Sequence, residues 1–473
     1  MMLKINQISH VNPMYKPLYH FSAPYGWLND PNGFCYFHGT WHLFYQYNPK
    51  AARWGKMSWG HAQSKDLVTW TNLPIALRPN TKYERFLGCF SGSAIVREEM
   101  MWLMYTGVSY TKSQQLIAFS RDGIHFEKMA KPAINATNRP PFSGRMSFRD
   151  PKIFVVDNEI YAVIGAGYKC GRQIALYKSK NQWEFNFIGS IRSEGLRTMG
   201  IFECPDLIIG KKTDLLIYNV IDEKKTNNSI VKEHISFIEI GNANLNQGTF
   251  TATSMTVKID SGADFYAPQT VISPDGRIIL IAWMQSWGRT IPTAKLGHGW
   301  AGMMTIPREI SIIDATLYQK PAKEIYAAFD SQKAKVDCFI KEEISFDTFS
   351  GSSFLLRIAI SEESDFGVKI RKGNQCETIV RYEYGTVFVD RSHSGHAIKG
   401  KNGHDNGAIK ACFIGKLTTV KMEIFVDMSS VEVFINDKYV LSSTIYPFSE
   451  SESIVFYSKK GIHMQAELFH PKK

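Results

Sequence analysis

The chain has no uninterrupted apolar stretch approaching the roughly 18 residues needed to cross a bilayer, and its opening, MMLKINQISHVNPMYKPLYH, lacks the apolar core of a secretion leader. A membrane-spanning protein is therefore not expected. With Met1 as the native start the expected compartment is the cytoplasm, whereas a secreted form would need a leader ahead of it. Only such a form would use the acceptor sequences Asn135-Ala136-Thr137 and Asn227-Asn228-Ser229. Cysteine is sparse and unpaired: the seven residues at 35, 89, 170, 204, 338, 376 and 412 form an odd set without a C-x-x-C pair. That argues against a disulfide framework and against a cysteine-rich zinc site, leaving reduced thiols as the expectation. His61 and His298 belong to no H-E-x-x-H pattern, and no compact loop of alternating acids could supply the oxygen ligands of calcium. No metal and no cofactor are predicted. The formal charge is +11, yet Lys and Arg are scattered, with no basic tail and no zinc-finger or RNA-recognition signature, so nucleic acid is not a predicted partner.

Long helical periodicity is scarce as well. In its place stand five apolar, β-branched and aromatic segments with the character of buried strands: TWHLFYQYN from 40, MWLMYTGV from 101, IYAVIGAG from 160, DLLIYNV from 214 and RIILIAWM from 277. Their starts lie 61, 59, 54 and 63 residues apart. Each follows a short polar turn such as His38-Gly39 or Asp275-Gly276, and each turn follows another strand-like run, so the unit is a repeated hairpin. Repeated β units without helices predict an all-β protein built on a propeller of five blades. A sandwich alone would not explain the regular spacing. The 473 residues exceed one ordinary core. The pattern changes after YQKPAKEIYAAFD, where alternating runs such as SFLLRIAI and SSVEVFIND begin. The expected division is a propeller over 1–330 and a second domain of alternating strands over 331–473, for which the resemblance below implies a β-sandwich.

The start of the first strand of each hairpin carries the chemistry. In order these starts read NDPNG at 29, FSGS at 90, FRDP at 148, FECPD at 202 and DFYAPQ at 264. An Asp-Pro step is an ordinary turn former, so one such acid means little. At equivalent places in successive blades, Asp30, Asp150 and Glu203 would face one pocket at the mouth of the axial channel. A pair of facing carboxylates is the equipment of glycoside hydrolysis, one acting as nucleophile or base and the other as proton donor. Clustering raises the pKa of a neighbouring acid and keeps one of them protonated. Arg149 can hold Asp150 ionised or bind substrate hydroxyls. Trp54, Trp59, Trp283 and Trp287 offer flat faces for sugar rings, fitting an aromatic content of 13%. Asp264 is the next carboxylate in line should Glu203 not be the acid.

The ordered set WLNDPNG, FYQYNP, WGHAQSKDLVTW, FSGSA, FRDP, ECPDL and DFYAPQT resembles glycoside hydrolase family 32, the group of invertases, fructan hydrolases and sucrose-6-phosphate hydrolases. VDRSHSG at 389 and DMSSVEVFIND at 427 resemble the family's C-terminal sandwich. The resemblance implies a five-bladed propeller joined to a β-sandwich and a retaining β-fructofuranosidase acting on sucrose or sucrose 6-phosphate. It implies Asp30 as nucleophile, Asp150 as transition-state stabiliser and Glu203 as acid/base. Binding positions fall on Asn29, Gln46, Trp54, Phe90, Ser91, Arg149, Tyr266 and Trp283. Leu28 departs from the family's frequent Met, a change that conserves volume. A fructan hydrolase or a fructosyltransferase would keep the same residues, while a non-catalytic sugar-binding propeller would not need all three acids. The expected partner is a small sugar, bound by a monomer or a homodimer.

Overall fold

The computed structural model describes residues 11–472 except 142, 169–170, 182, 195–199, 227–228, 331–333, 361–364, 401–402 and 406. Strands dominate it; the helical elements among the described residues are a four-residue α-helix, Pro292–Lys295, and three short 3-10 turns. The architecture is the five-bladed propeller that the hairpin spacing predicts, with the C-terminal β-sandwich that the resemblance implies. Cys170 and the second acceptor sequence, at 227–228, lie outside the described residues, as do 331–333 beside the expected division.

The described chain gathers into two compact units. The first contains 23–258 and 266–283, and the second contains 10–22, 259–265 and 284–473. In the first unit a blade is a four-stranded antiparallel sheet in chain order. Blade one is Gly26–Phe37, Thr40–Asn48, Ser58–Ser64 and Thr71–Leu77, and blade two is Gly88–Arg97, Met100–Val108, Ser113–Ser120 and Glu127–Lys128. Blade three is Phe148–Val156, Glu159–Tyr168, Gly171–Ser179 and Phe185–Ser193, and blade four is Glu203–Ile208, Asp214–Thr226, Ser229–Asn244 and Thr249–Ala252. Blade five opens with Tyr266–Ile272 and Ile278–Trp283. The five apolar segments found in the sequence are the second strands of these five hairpins. They read as continuous apolar runs because both faces of a blade are covered by its neighbours. The cores accordingly lie between blades: Phe44 and Trp59 meet Leu103 and Tyr105, Met104 and Ile117 meet Phe148 and Ile164, and Val163 and Ile174 meet Leu216 and Tyr218.

A layer of hydrogen bonds ties the inner strands to one another around the axis. Gly92 N–H donates to Asn32, Ser93 donates to the Pro151 carbonyl, and Lys152 Nζ donates to Asp206 at 2.9 Å and to the Thr270 carbonyl at 2.7 Å. Gln269 closes the circuit onto the Gly92 carbonyl at 2.6 Å.

In the second unit the strand Ser453–Phe469 pairs with Ala334–Ser350, with Phe366–Lys372 along its first half and with Phe354–Ile360 along its second half. One long strand thus joins two runs of sheet: Phe366–Lys372, Glu377–Glu383, Thr386–His393 and Ile409–Phe413 on one side, and Phe354–Ile360, Val420–Asp427, Ser430–Ile435 and Tyr439–Thr444 on the other. Alternate residues point inward to a core that includes Phe354, Val368, Val380, Ile424, Val433 and Phe456. No helix among the described residues is long and apolar enough to cross a membrane.

Candidate active site

Each blade breaks its inner hairpin at the same place. The register slips between Leu28 and Pro31, between Phe90 and Gly92, opposite Val163 and Gly165, between Glu203 and Asp206, and between Tyr266 and Gln269. These are β-bulges, and the residues they release from the ladder are Asn29 and Asp30, Ser91, Asp150, Cys204 and Ala267. Proline follows in four of the five blades, at 31, 151, 205 and 268. A residue without an N–H loses nothing where the ladder is already interrupted. Asp150, Cys204 and Ala267 adopt φ of 64°, 43° and 52°, a left-handed backbone costing on the order of 1–3 kcal/mol per non-glycine residue.

Residues on the second strands compensate. Thr106 Oγ1 accepts the Asp150 N–H at 3.0 Å, and Asn219 donates to the Glu203 carbonyl while accepting the Ala267 N–H at 3.1 Å. Gln46, opposite the first bulge, donates to the Cys89 carbonyl at 3.0 Å. Gln46, Thr106 and Asn219 therefore perform one task, pinning the bulge of the next blade or of their own. The resemblance named Gln46, as a binding position, and sequence reading missed Thr106 and Asn219; the signal for all three is a buried polar residue within the apolar second strand.

The bulges bring the acids together. Asp30 accepts from Ser91 Oγ at 2.7 Å on one oxygen and from Asn29 Nδ2 at 3.0 Å on the other. Trp27 Nε1 in turn donates to Asn29 at 2.7 Å, which fixes the amide's orientation. Glu203 is clamped by Arg149 Nη2 on one oxygen and by Tyr266 Oη on the other, each at 2.5 Å. Cys204 links the set: its N–H donates to Asp150 at 3.2 Å and its Sγ lies 3.7 Å from Asp30. Arg149 Nε stands 3.8 Å from Asp150. His234, edge-on to Tyr266 with ring centroids 5.4 Å apart, is a further neighbour that sequence reading did not single out.

Sequence reading expects crowding to keep one acid protonated; burial and Arg149 act on the three differently. Burial lifts Asp30 above the usual carboxylate range; the bonds from Ser91 and Asn29 oppose this and the Glu203 charge adds to it. Burial also lifts Asp150, to about 7, against the pull of Arg149 and with the push of Glu203 and Asp30. Burial pushes Glu203 upward too, but Arg149 and the Tyr266 hydroxyl outweigh it and hold Glu203 below its ordinary value. Asp150 is therefore raised toward neutrality while Glu203 is held low. The physical reason is geometric: the single guanidinium bonds directly to Glu203 and stands farther from Asp150.

The aromatic residues divide by exposure. Trp54 is 40% exposed, edge-on to Phe90 at 6.2 Å, and can present a face to a ligand. Trp283 and Trp59 are fully buried. Trp283 packs against Trp27 at 6.0 Å, and Trp59 donates to the Phe90 carbonyl at 2.9 Å. Trp287 falls in the second unit, half-buried. His61 is buried against His42 at 2.9 Å, as a core residue. Asp264, the reserve acid, is not available: it is fully buried in the second unit, ion-paired to Arg289 at 2.9 Å and to Arg391. Their charges, opposing burial, hold its carboxyl below the usual range.

Three carboxylates and a guanidinium gathered at the inner-strand bulges of a five-bladed propeller define a glycoside hydrolase. Residues 20–321 match the glycosyl hydrolases family 32 N-terminal domain and residues 324–470 the family 32 C-terminal domain; the chain belongs to glycoside hydrolase family 32. It is similar to a sucrose-6-phosphate hydrolase of Zymomonas mobilis, 31% identical over 92% of this chain and 88% of that protein. It is also similar to a levanase of Bacillus subtilis, 31% identical over 98% of this chain and 71% of that protein. Among solved structures, a Bombyx mori β-fructofuranosidase in complex with sucrose superposes with a TM-score of 0.83 at 28% identity, covering 99% of this chain and 96% of that one.

Proposed function

We propose that this chain hydrolyses terminal β-fructofuranosides with retention of configuration, sucrose or sucrose 6-phosphate being the substrate. The observation that carries this reading is the double contact of Cys204, whose N–H meets Asp150 and whose thiol meets Asp30 while its neighbour Glu203 faces Arg149 and Tyr266. One bulge thus links the three acids that this reading casts as nucleophile, stabiliser and proton donor. The names of the sucrose-6-phosphate hydrolase relative and of the sucrose-bound neighbour support the substrate class. The levanase relative favours including longer fructans in the assay.

Asp30, its two oxygens oriented by Ser91 and Asn29, attacks the anomeric carbon of the fructosyl unit. The bond to the leaving oxygen breaks as that oxygen takes a proton from Glu203. Water, deprotonated by the same Glu203, then cleaves the fructosyl ester, releasing fructose and restoring the Asp30 carboxylate. Asp150 and Arg149 meet the ring hydroxyls and act most strongly as positive charge develops on the ring. The proton must first reach Glu203. Fructose hydroxyls donating to Asp150 favour its charged form, and a glycosidic oxygen closing over Glu203 removes water from it. Binding thereby favours a charged Asp150 and a protonated Glu203.

The test is Glu203→Ala on two substrates. Sucrose, with a poor leaving group, is expected to be cleaved very slowly. A fructoside of an acidic phenol needs no proton donor, so it should give a burst of phenol equal to the enzyme concentration, slow turnover and a covalent fructosyl adduct by mass spectrometry. Equal impairment on both substrates with no burst would remove Glu203 from the acid/base role.

A further inference from the structure

We infer that the second unit carries its own sugar-binding site, a pocket on the outer face of its sheet that holds a short segment of a β-fructan. The inference rests on the substrate class proposed above, and it assigns a place on the molecule that the reaction does not use.

The pocket arises from register. On Phe354–Ile360, Arg357 lies beside Glu423 on one neighbouring strand and Glu467 on the other, and Ala359 lies beside Lys421 and Gln465. All these positions point away from the core, and Ala359 alone among them is short. The long polar side chains therefore stand around a methyl floor. Tyr326, from the turn Lys323–Ala328, and the turn Asn436-Asp437, with φ of 49° and 54°, raise walls beside it. The resulting cavity has a volume of about 430 Å³, within the range of about 300–1,000 Å³ usual for small-molecule sites.

The lining selects the chemistry of the occupant. Glu423, Asp437 and Glu467 face Lys335, Arg357 and Lys421, three acids against three bases, so neither an anion nor a cation is favoured. Some of these groups are preset: Tyr326 Oη donates to Glu423 at 2.5 Å, Arg357 Nε donates to its other oxygen at 2.7 Å, and the guanidinium lies over the Tyr326 ring at 5.1 Å. Carboxylates, an amide and a guanidinium, each able to take two hydrogen bonds, match vicinal hydroxyls. An aromatic wall matches the apolar face of a sugar ring. A neutral polyhydroxylated ligand of one or two rings satisfies all of these conditions, and with three acids facing three bases the lining gives no preference for a charged one. In an enzyme that acts on fructosides, a second site of this kind retains a long chain on the molecule that cleaves it, raising the effective concentration of its ends.

The experiment uses the full-length chain carrying Asp30→Asn, which prevents turnover, titrated with nystose in a calorimeter, with and without Ala359→Trp. The expected stoichiometry is two without the second substitution and one with it. In the otherwise wild-type enzyme, Ala359→Trp should leave sucrose hydrolysis unchanged and lower the rate on dilute long-chain inulin about threefold or more. A stoichiometry of one in both chains, of two in both, or of zero overturns the inference. Failure of the reaction itself reads out separately, as absence of sucrose cleavage by the wild-type enzyme. Should Ala359→Trp fold poorly, judged by lost sucrose hydrolysis, Lys421→Ala with Gln465→Ala strips the walls and must give the same loss of one site.

Discussion

Buried charge is treated in opposite ways in the two units. In the propeller, Arg149 bonds Glu203 and stands 3.8 Å from Asp150, and burial outweighs the pull of that guanidinium and raises Asp150 to about 7. In the second unit His20 bonds Asp427 at 2.8 Å and Glu432 at 3.1 Å, while Arg308 bonds Glu432 at 2.7 Å and Asp260 at 2.8 Å. Burial opposes the charge on His20, but the two acids win and hold its pKa at about 9. Glu432 in turn lies at about 2, where Arg308 and His20 overcome burial. A buried set in which every acid bonds a cation has no proton to give within the physiological range, and its value is a fixed geometry. A buried acid without such a bond is raised toward neutrality, where acid/base chemistry needs it.

The largest expected effect breaks the propeller set at its nucleophile. Asp30→Asn keeps the shape of the turn and the contacts of Ser91 and Asn29, yet kcat on sucrose should fall by roughly 10⁴-fold or more. A variant with near-normal kcat would show that another group attacks. Asp150→Asn comes next, with kcat lowered by roughly 10²–10³-fold and KM changed less. The same substitution should stabilise the protein. An acid whose folded pKa is raised from 3.8 to about 7 binds more protons folded than unfolded between those values, so its stability contribution falls as pH rises through that window and the penalty is complete above it. Removing the charge should therefore raise unfolding free energy near pH 8, on the order of 2–4 kcal/mol, and leave it nearly unchanged near pH 4. Urea denaturation at the two pH values checks this. The wild-type kcat/KM should also fall above about pH 7, where Asp150 loses its proton.

His20→Leu breaks the fully paired set instead. Two buried carboxylates lose a partner, at a cost of about 3–5 kcal/mol, with the kcat of the folded protein unchanged. Because the folded pKa of about 9 lies above the ordinary 6.5, the contribution of His20 is complete below about pH 6.5 and is lost as pH rises toward 9. The stability gap between wild type and variant should narrow over that interval, and a constant gap would mean that His20 is not charged. The smallest effect concerns exposed charge. Arg53 and Lys56 flank Trp54 on the rim and are open to solvent. If they attract the phosphate of sucrose 6-phosphate, replacing both with Ala should reduce its preference over sucrose a few-fold, and added salt should do the same, given a Debye length of about 8 Å at physiological ionic strength. Equal kcat/KM on the two sugars at low salt would leave these residues as solubilising charge.

Much of this organisation is written locally. Strand periodicity, hairpin turns and the recurring acid-proline steps depend on near neighbours, so five blades, the C-terminal sandwich and the positions of Asp30, Asp150 and Glu203 were legible without coordinates. The bulges could be read only as turns, because a bulge is defined by the strand opposite it: Thr106 and Asn219 acquire their roles from Asp150 and Ala267, more than 40 residues away in each case. Distance in sequence also hid the pairing of Asp264 with Arg391 and of His20 with Asp427, and with it the gathering of 10–22 and 259–265 into the second unit. Tertiary structure alone decided which tryptophan keeps an open face and which acid is held low. Burial and the direction of one guanidinium are properties of packed neighbours, whereas the identity of the acids is a property of the chain.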